Sequence, residues 1–361
     1  MRLSAGTSHP RIDLAFRLLS TVYLPGLSQN RMLHSSSGWL CISEDDALGA
    51  FRIGVANMLN LSGVVPAIGT PLENGDRVDE QSLRRLARYL LDSEVNGILA
   101  NGSMGGFAFL TDDEQTRAIS IVVSEVDGKI PVMGGIGETS TVRAVKRAKE
   151  IAGLGVTHLS LLAPFYYFAT QDNLISYFSE IAGEVNLPIF LYDNPVMTKN
   201  YILPETVAHL RNSVPNIIGI KVTNPDQANL QKVIDLNGDL DFSILTATES
   251  LTVAGLQMGC DGFISGLTNI CPQIAVALYK ASQKGDWELA RKLQRDFSAV
   301  WQLFRFGNVW GGFDEALRYL GIAERATAAP YISRLSDDEA KGVRLILDTY
   351  LEPYMAGVSD N

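Results

Sequence analysis

Three short stretches of this 361-residue chain carry side chains whose types and spacing suit carbon–carbon chemistry beside a carbonyl group. The first is Ile217-Ile-Gly-Ile-Lys221, four nearly apolar residues that end in an amine. Burial disfavours the ammonium form of a lysine, and a neutral amine can attack a carbonyl carbon to give a Schiff base. The plain alternative is a structural lysine paired with an acid such as Glu249, and the sequence leaves both readings open. The second stretch is Pro188-Ile-Phe-Leu-Tyr192. A phenol can give and take a proton at a carbonyl centre. A core tyrosine with a satisfied hydroxyl is the commoner case, but a lysine ending the next apolar run favours the chemical reading. The third is Gly102-Ser-Met-Gly-Gly106. A glycine-flanked turn offers backbone N–H groups and a hydroxyl to a carboxylate, although alone it looks like any tight loop.

Other chemistries find little support. The four histidines are His9, His34, His158 and His209. His158 begins an apolar run and His209 lies in a polar helical stretch, which argues against a histidine metal site or a Ser–His–Asp triad. No metal or other cofactor is expected. The Gly102–Gly106 turn is not followed by Gly-Lys-Ser/Thr, and Gly134-Gly-Ile-Gly137 lacks the dinucleotide spacing. Cys41, Cys260 and Cys271 are too few for a disulfide framework and are not spaced for zinc, which suits a reducing compartment. A net charge of −10 argues against nucleic acid or anionic membrane as a partner. No apolar run reaches the length of a membrane span. With an apolar fraction of 46%, the chain has the composition of a cytoplasmic enzyme acting on a small molecule.

The elements that must position these residues follow from the pattern. Short apolar runs at 63–68, 97–102, 131–136, 158–163, 188–193, 217–222, 242–247 and 262–266 alternate with amphipathic stretches such as Glu80–Leu91. Continuous apolar strands alternating with helices predict a parallel sheet covered by helices. Eight such units predict an α/β fold, a closed (β/α)8 TIM barrel, with its chemistry at the C-terminal strand ends. Thr70, the Ser103 turn, Glu138, Tyr166, Tyr192, Lys221, Glu249 and Ile264 all fall at or just after strand ends. Asp112-Asp-Glu114 and Thr139-Ser-Thr141 read as helix starts. Helices predicted at 273–284, 286–305, 314–321 and 335–351 make residues 273–361 a helical extension of the barrel, which spans 58–272. Residues 1–57 hold five arginines, no lysine and many serines, without a periodic segment. Translation beginning at Met58 accounts for them best. An organellar transit peptide, with a mitochondrial location, is the other reading.

In combination, the Gly-Ser-x-Gly turn after strand 2, Tyr-x-x-Pro at strand 5 and Ile-Lys at strand 6 resemble the dihydrodipicolinate synthase/N-acetylneuraminate lyase family of Schiff-base aldolases. The resemblance runs from about Leu61 to Leu351. It includes Pro66-x-x-x-Thr-Pro71, Gly105-Gly-Phe-Ala-Phe-Leu-Thr111 with Glu114, and Pro164-Phe-Tyr-Tyr167. It implies that Lys221 forms an imine with pyruvate or another 2-oxo acid, and that Tyr192 moves protons at the leaving or attacking oxygen. Ser103 and the backbone of 103–104 would bind the pyruvate carboxylate, with Thr70 and Met104 beside it. Ile264 would offer a carbonyl near the imine, Glu249 would meet the rest of the substrate, and Tyr166 would reach across a tight dimer interface. A homotetramer built as a dimer of dimers is implied as well.

The chain departs from the family pattern in ways that bear on the substrate. Met104 stands where the family has a hydroxyl residue, Gly106 where Glu is common, and Asp193 where Asn is common. Met197 occupies the place of the synthase branch's arginine, five residues beyond the tyrosine. Thr248, Glu249 and Ser250 match the lyase branch's polyol-binding residues only loosely. A lyase for a 2-keto-3-deoxy sugar acid or a similar 4-hydroxy-2-oxo acid fits these departures best. A synthase that condenses pyruvate with aspartate semialdehyde, and a non-catalytic sugar-acid-binding barrel, are the other readings.

Overall fold

Alternating apolar and amphipathic segments build eight parallel strands, each followed by helical chain. A computed structural model describes residues 61–238 and 241–355, together with the backbone of two short strands, His34–Ser35 and Gly38–Trp39, paired antiparallel. The segment 1–57 otherwise lies outside the described residues. The barrel strands are β1 (Gly63–Pro66), β2 (Ile98–Ala100), β3 (Val132–Gly135), β4 (His158–Leu162), β5 (Ile189–Asp193), β6 (Ile217–Val222), β7 (Ser243–Thr246) and β8 (Gly262–Ser265). They lie in the order β1-β8-β7-β6-β5-β4-β3-β2. A parallel bridge between Ala67 and Leu99 closes the seam, with Ile68 N–H donating to the Leu99 carbonyl at 2.9 Å. The fold is thus a (β/α)8 barrel with C-terminal helices. Every residue of the eight strands is buried, because side chains fill the interior and helices cover the outside.

Each strand falls within its expected run, and most are a residue or two shorter. The helices between them are α1 (Glu80–Asp92), α2 (Asp112–Val126), α3 (Thr141–Ala152), α4 (Gln171–Gly183), α5 (Pro204–Ser213), α6 (Gln227–Asn237) and α7 (Thr252–Met258). Helix α1 buries Leu83, Leu86, Ala87 and Leu90, the three-and-four spacing of one helix face, and Asp79 caps it by accepting Ser82 N–H. Thr111 caps α2, whose first turn carries Asp112, Asp113 and Glu114 beside the positive helix end. A small hairpin, Leu72–Glu73 with Arg77–Val78, has no counterpart in the strand pattern.

After β8 come α8 (Pro272–Gln283), α9 (Trp287–Trp301), α10 (Val309–Tyr319) and α11 (Asp337–Tyr350). Helix α10 begins at Val309 rather than 314, because Asn308 caps it by accepting the N–H groups of Trp310 and Gly311. Gly311-Gly312 weakens the helical pattern there, yet a side chain on Gly312 would lie 1.8 Å from the Leu303 carbonyl oxygen. The tail is fastened to the C-terminal end of the barrel strands. The Phe313 ring sits 2.9 Å from where a Cβ on Gly69 would project, and Leu72 N–H donates to the Arg325 carbonyl at 2.9 Å.

Candidate active site

The barrel interior is a column of apolar side chains that includes Val65, Leu99, Met133, Phe190, Leu245 and Ile264. At its C-terminal end the polar groups begin. On β5 the two-residue alternation turns Phe190 and Tyr192 inward and Ile189, Leu191 and Asp193 outward. Strand β6 reaches the same result through an irregularity. Its register against β5 shifts between Ile217 and Gly219, so Ile218 and Lys221 both face inward while Ile220 and Val222 face the helices. Gly219 leaves room for the ring beneath the site, since a Cβ there would lie 2.4 Å from Phe190.

Lys221 and Tyr192 are register partners on adjacent strands. Both are buried, Lys221 at 4% exposure, and Lys221 Nζ lies 3.9 Å from the centroid of the Tyr192 ring. The phenol oxygen is 3.3 Å from Ser103 Oγ and accepts a hydrogen bond from Asn194 Nδ2 at 3.0 Å. Burial pushes the phenol's pKa up. The Lys221 charge, with the Ser103 and Thr223 hydroxyls, outweighs it and brings the phenol below its ordinary 10.0. No acid forms an ion pair with Lys221 among the described residues.

The Ser103 turn is held from several sides. Asn101, at a left-handed φ of 59°, donates through Nδ2 to the Gly135 carbonyl at 2.9 Å and to Gln115 Oε1 at 3.0 Å. Gln115 Nε2 in turn donates to the carbonyls of Phe107 and Leu110. Thr70 Oγ1 donates to the Gly105 carbonyl at 2.8 Å, so this hydroxyl fastens the turn. The N–H groups of Ser103 and Met104 donate to no acceptor among the described residues and stay available to a ligand. Met104 packs on the interior column, its Sδ 3.1 Å from where a Cβ on Gly266 would stand. A hydroxyl is absent at 104, but Ser103 supplies one beside Tyr192.

The remaining expected residues divide. Ile264 lines the interior column, paired with Val65 of β1. Glu249 forms no ion pair with Lys221 and bonds elsewhere. Its Oε1 accepts from Ser265 Oγ (3.0 Å) and Leu267 N–H (2.9 Å), and its Oε2 accepts from Trp301 Nε1 (3.0 Å). These bonds tie the β7 loop to the β8 loop and α9, which corrects the reading of Glu249 as a lysine partner. Tyr166 is 73% exposed, stacks edge-to-face on Tyr167 at 4.9 Å, and holds a strained φ of 84°. It makes no hydrogen bond to the Lys221–Tyr192–Ser103 group. Two polar residues beside that group, Asn194 and Thr223, are absent from the sequence expectations. A signal for them exists: each lies two positions beyond an inward-facing strand residue, Tyr192 or Lys221, and shares its face. Among the described residues no set of three His, Cys, Asp or Glu side chains is placed to hold a metal ion, and no helix is long and apolar enough to cross a membrane.

Comparison with known proteins bears on the fold and the family. The model of the dihydrodipicolinate synthetase family matches residues 60–349. An uncharacterised DapA-like lyase of Halobacterium salinarum is 31% identical over 287 residues, covering 80% of this chain and 93% of its own. A 4-hydroxy-tetrahydrodipicolinate synthase of Methanospirillum hungatei is 28% identical over 290 residues, covering 80% and 99%. Among solved structures, a prophage protein of the dihydrodipicolinic acid synthase family from E. coli K12, in complex with pyruvate, superposes with a TM-score of 0.76 at 27% identity, covering 80% of this chain and 98% of that one. The scaffold is that of the class I aldolases, and the chain belongs to the dihydrodipicolinate synthetase family of enzymes.

Proposed function

We propose that this enzyme forms a Schiff base between Lys221 and pyruvate or a related 2-oxo acid, and reversibly cleaves a 4-hydroxy-2-oxo acid such as a 2-keto-3-deoxy sugar acid. The observation that carries this reading is the meeting of Lys221, Tyr192 and Ser103 above an apolar floor. The pyruvate bound by the E. coli K12 relative supports the same choice of substrate half.

In the proposed reaction the substrate carboxylate lies at the Ser103 turn, on the Ser103 hydroxyl and the N–H groups of Ser103 and Met104. The Lys221 amine adds to C2, and the Tyr192 phenol gives its proton to the departing hydroxyl, so that water leaves, a protonated imine remains and Tyr192 is a phenolate. The phenolate then takes the proton of the C4 hydroxyl. The C3–C4 bond then breaks, and its electron pair moves into the C2–C3 bond while the imine π pair settles on nitrogen. An aldehyde leaves, C3 of the enamine takes a proton, and water releases pyruvate and the free amine. Aldol addition is the reverse. The buried site keeps bulk water from protonating the enamine early.

Met197 bears on the second substrate half. It is 69% exposed in the short helix Pro195–Thr198, and it offers an aldehyde carboxylate no cation. This favours an uncharged aldehyde. The synthase reading, with aspartate semialdehyde as partner, draws support from relatives that carry that name. Exposed Tyr166, Tyr167 and Phe168 suit contact with a second copy of the chain in a homotetramer.

Two measurements test the reading. Borohydride reduction in the presence of pyruvate is expected to leave an adduct on Lys221, located by mass spectrometry. Its absence would refute the Schiff base. Pyruvate release is then followed over 2-keto-3-deoxy sugar acids and N-acetylneuraminate. Inactivity on all of them, with turnover of aspartate semialdehyde, would reverse the ranking.

A further inference from the structure

Asp193 follows Tyr192 directly but points the other way, out of the barrel interior, and it is 1% exposed. A buried carboxylate normally has a cation or a full set of donors. Asp193 has one donor: Oδ1 accepts Ile202 N–H at 3.1 Å, and Oδ2 has no hydrogen-bond partner. Asn224 faces it from just beyond β6 without closing a hydrogen bond, and its own amide nitrogen is likewise buried and unpartnered. No charged group is among the causes that set its titration, neither Lys221 on the neighbouring strand β6, nor Tyr177 on α4, nor Glu205, His209 and Arg211 on α5. Burial alone, little offset by Ile202 and Asn224, pushes its pKa up to about 6.

What this carboxylate holds is specific. The chain leaves β5 at Asp193 and returns to the same side chain at Ile202, nine residues later. Within that excursion, Asn194 donates to the Tyr192 phenol. Asn200 donates through Nδ2 to the carbonyls of Pro164 (2.7 Å) and Tyr167 (2.9 Å), and its Oδ1 accepts Ala169 N–H (2.8 Å). The loop clamped by Asp193 therefore carries both the amide partner of Tyr192 and the brace of the Tyr166 loop. The Asp193 carbonyl also accepts Thr223 N–H at 2.8 Å, joining the ends of β5 and β6 beside the two reacting side chains.

We propose that Asp193 is a positioning residue whose ionised carboxylate clamps the 194–202 loop, so that protonating it loosens the Tyr192–Asn194 pair and slows the reaction. The proposal rests on the Schiff-base reading for its effect on turnover, but the clamp is measurable without it. A charged acceptor binds an N–H about twice as strongly as a neutral one.

The test uses the full chain and compares Asp193→Asn and Asp193→Ala with the unaltered protein between pH 5 and 8. The readouts are kcat/KM for pyruvate release and hydrogen exchange at the Ile202 amide, corrected for intrinsic pH dependence. The unaltered protein should show a step of about tenfold in kcat/KM centred near pH 6, with Ile202 exchange slowing over the same range. Asp193→Asn keeps a neutral acceptor and should lose both steps. Asp193→Ala should lower kcat at pH 8 while KM for substrate stays within about threefold. If Asp193→Ala does not fold, Asp193→Asn decides alone. An inflection near pH 6 that survives unchanged in Asp193→Asn, or none in the unaltered protein, would overturn the proposal. Failure of pyruvate to trap on Lys221 at pH 8 would defeat the Schiff-base reading instead, and Ile202 exchange would then decide the clamp: a step lost in Asp193→Asn supports it, and a step that remains refutes it.

Discussion

Lys221 Nζ stands over the face of the Tyr192 ring, 3.9 Å from its centroid, while the phenol oxygen meets Ser103 and Asn194. The amine and the phenol oxygen are therefore neighbours held apart: the amine lies on the ring face, and the hydroxyl meets Ser103 and Asn194.

That separation predicts different losses for the two residues. Lys221→Ala should abolish turnover and trapping together. Tyr192→Phe keeps the ring under the amine, so pyruvate should still trap on Lys221 while kcat falls by about 10²- to 10⁴-fold. Steady-state rates and mass spectrometry of the reduced adduct check both. Tyr192→Phe with unchanged kcat would remove Tyr192 from the mechanism.

Ser103→Ala removes one donor to the substrate carboxylate and the hydroxyl beside Tyr192. A hydrogen bond to a charged group contributes about 1.5–3 kcal/mol, so KM for the 2-oxo acid should rise by about 10- to 100-fold. Thr70→Val acts through the Gly105 carbonyl it releases. It should raise KM by less, because the turn keeps its Asn101 and Gln115 supports. Initial rates over a range of 2-oxo acid concentrations would rank the two.

Asp193 also makes a prediction about stability, apart from turnover. Burial raises its pKa from 3.8 to about 6 in the folded chain. The folded protein then holds this proton more tightly than the unfolded one. The group's contribution is fully present below about pH 3.8 and is lost as pH rises through about 6, a change of about 3 kcal/mol. Carboxylates held low by partners, such as Asp79, run in the opposite direction but are common to both proteins. Urea unfolding at pH 4.5 and pH 7 should therefore show that Asp193→Asn gains stability relative to the unaltered chain as pH rises. A constant difference would contradict the burial-driven shift.

Glu249 is expected to matter for stability more than for substrate choice. Glu249→Ala strands the donors of Ser265, Leu267 and Trp301. Leaving them unsatisfied should cost about 2–3 kcal/mol, with the ratio of kcat/KM among 2-oxo acids unchanged. Thermal unfolding and a substrate panel test the two halves. A changed substrate ranking would instead give Glu249 a part in binding the substrate.

The barrel and the Lys221–Tyr192 pair are legible in the sequence because a fully apolar run ending in a single polar residue fits a barrel strand and little else. Ser103 is legible because glycines mark its turn. Glu249 misleads as a partner for Lys221, because a carboxylate at a strand end looks the same whether it meets an amine or the Trp301 indole. Thr70 is placed at the site by its position, but its hydroxyl bonds a carbonyl 35 positions away, which no local pattern reveals. Asn194 and Thr223 are within reach of the two-residue alternation. They escape it because each lies just past its strand, where alternation is not usually carried on.

The register shift at Ile217–Gly219 makes the lysine a matter of reading frame. Without it, strict alternation from Ile218 would place position 220 inside and send position 221 out among the helices. Moving this amine into another barrel thus means moving the irregular strand with it. A lysine grafted onto an evenly pleated strand at the matching sequence position would arrive on the wrong wall.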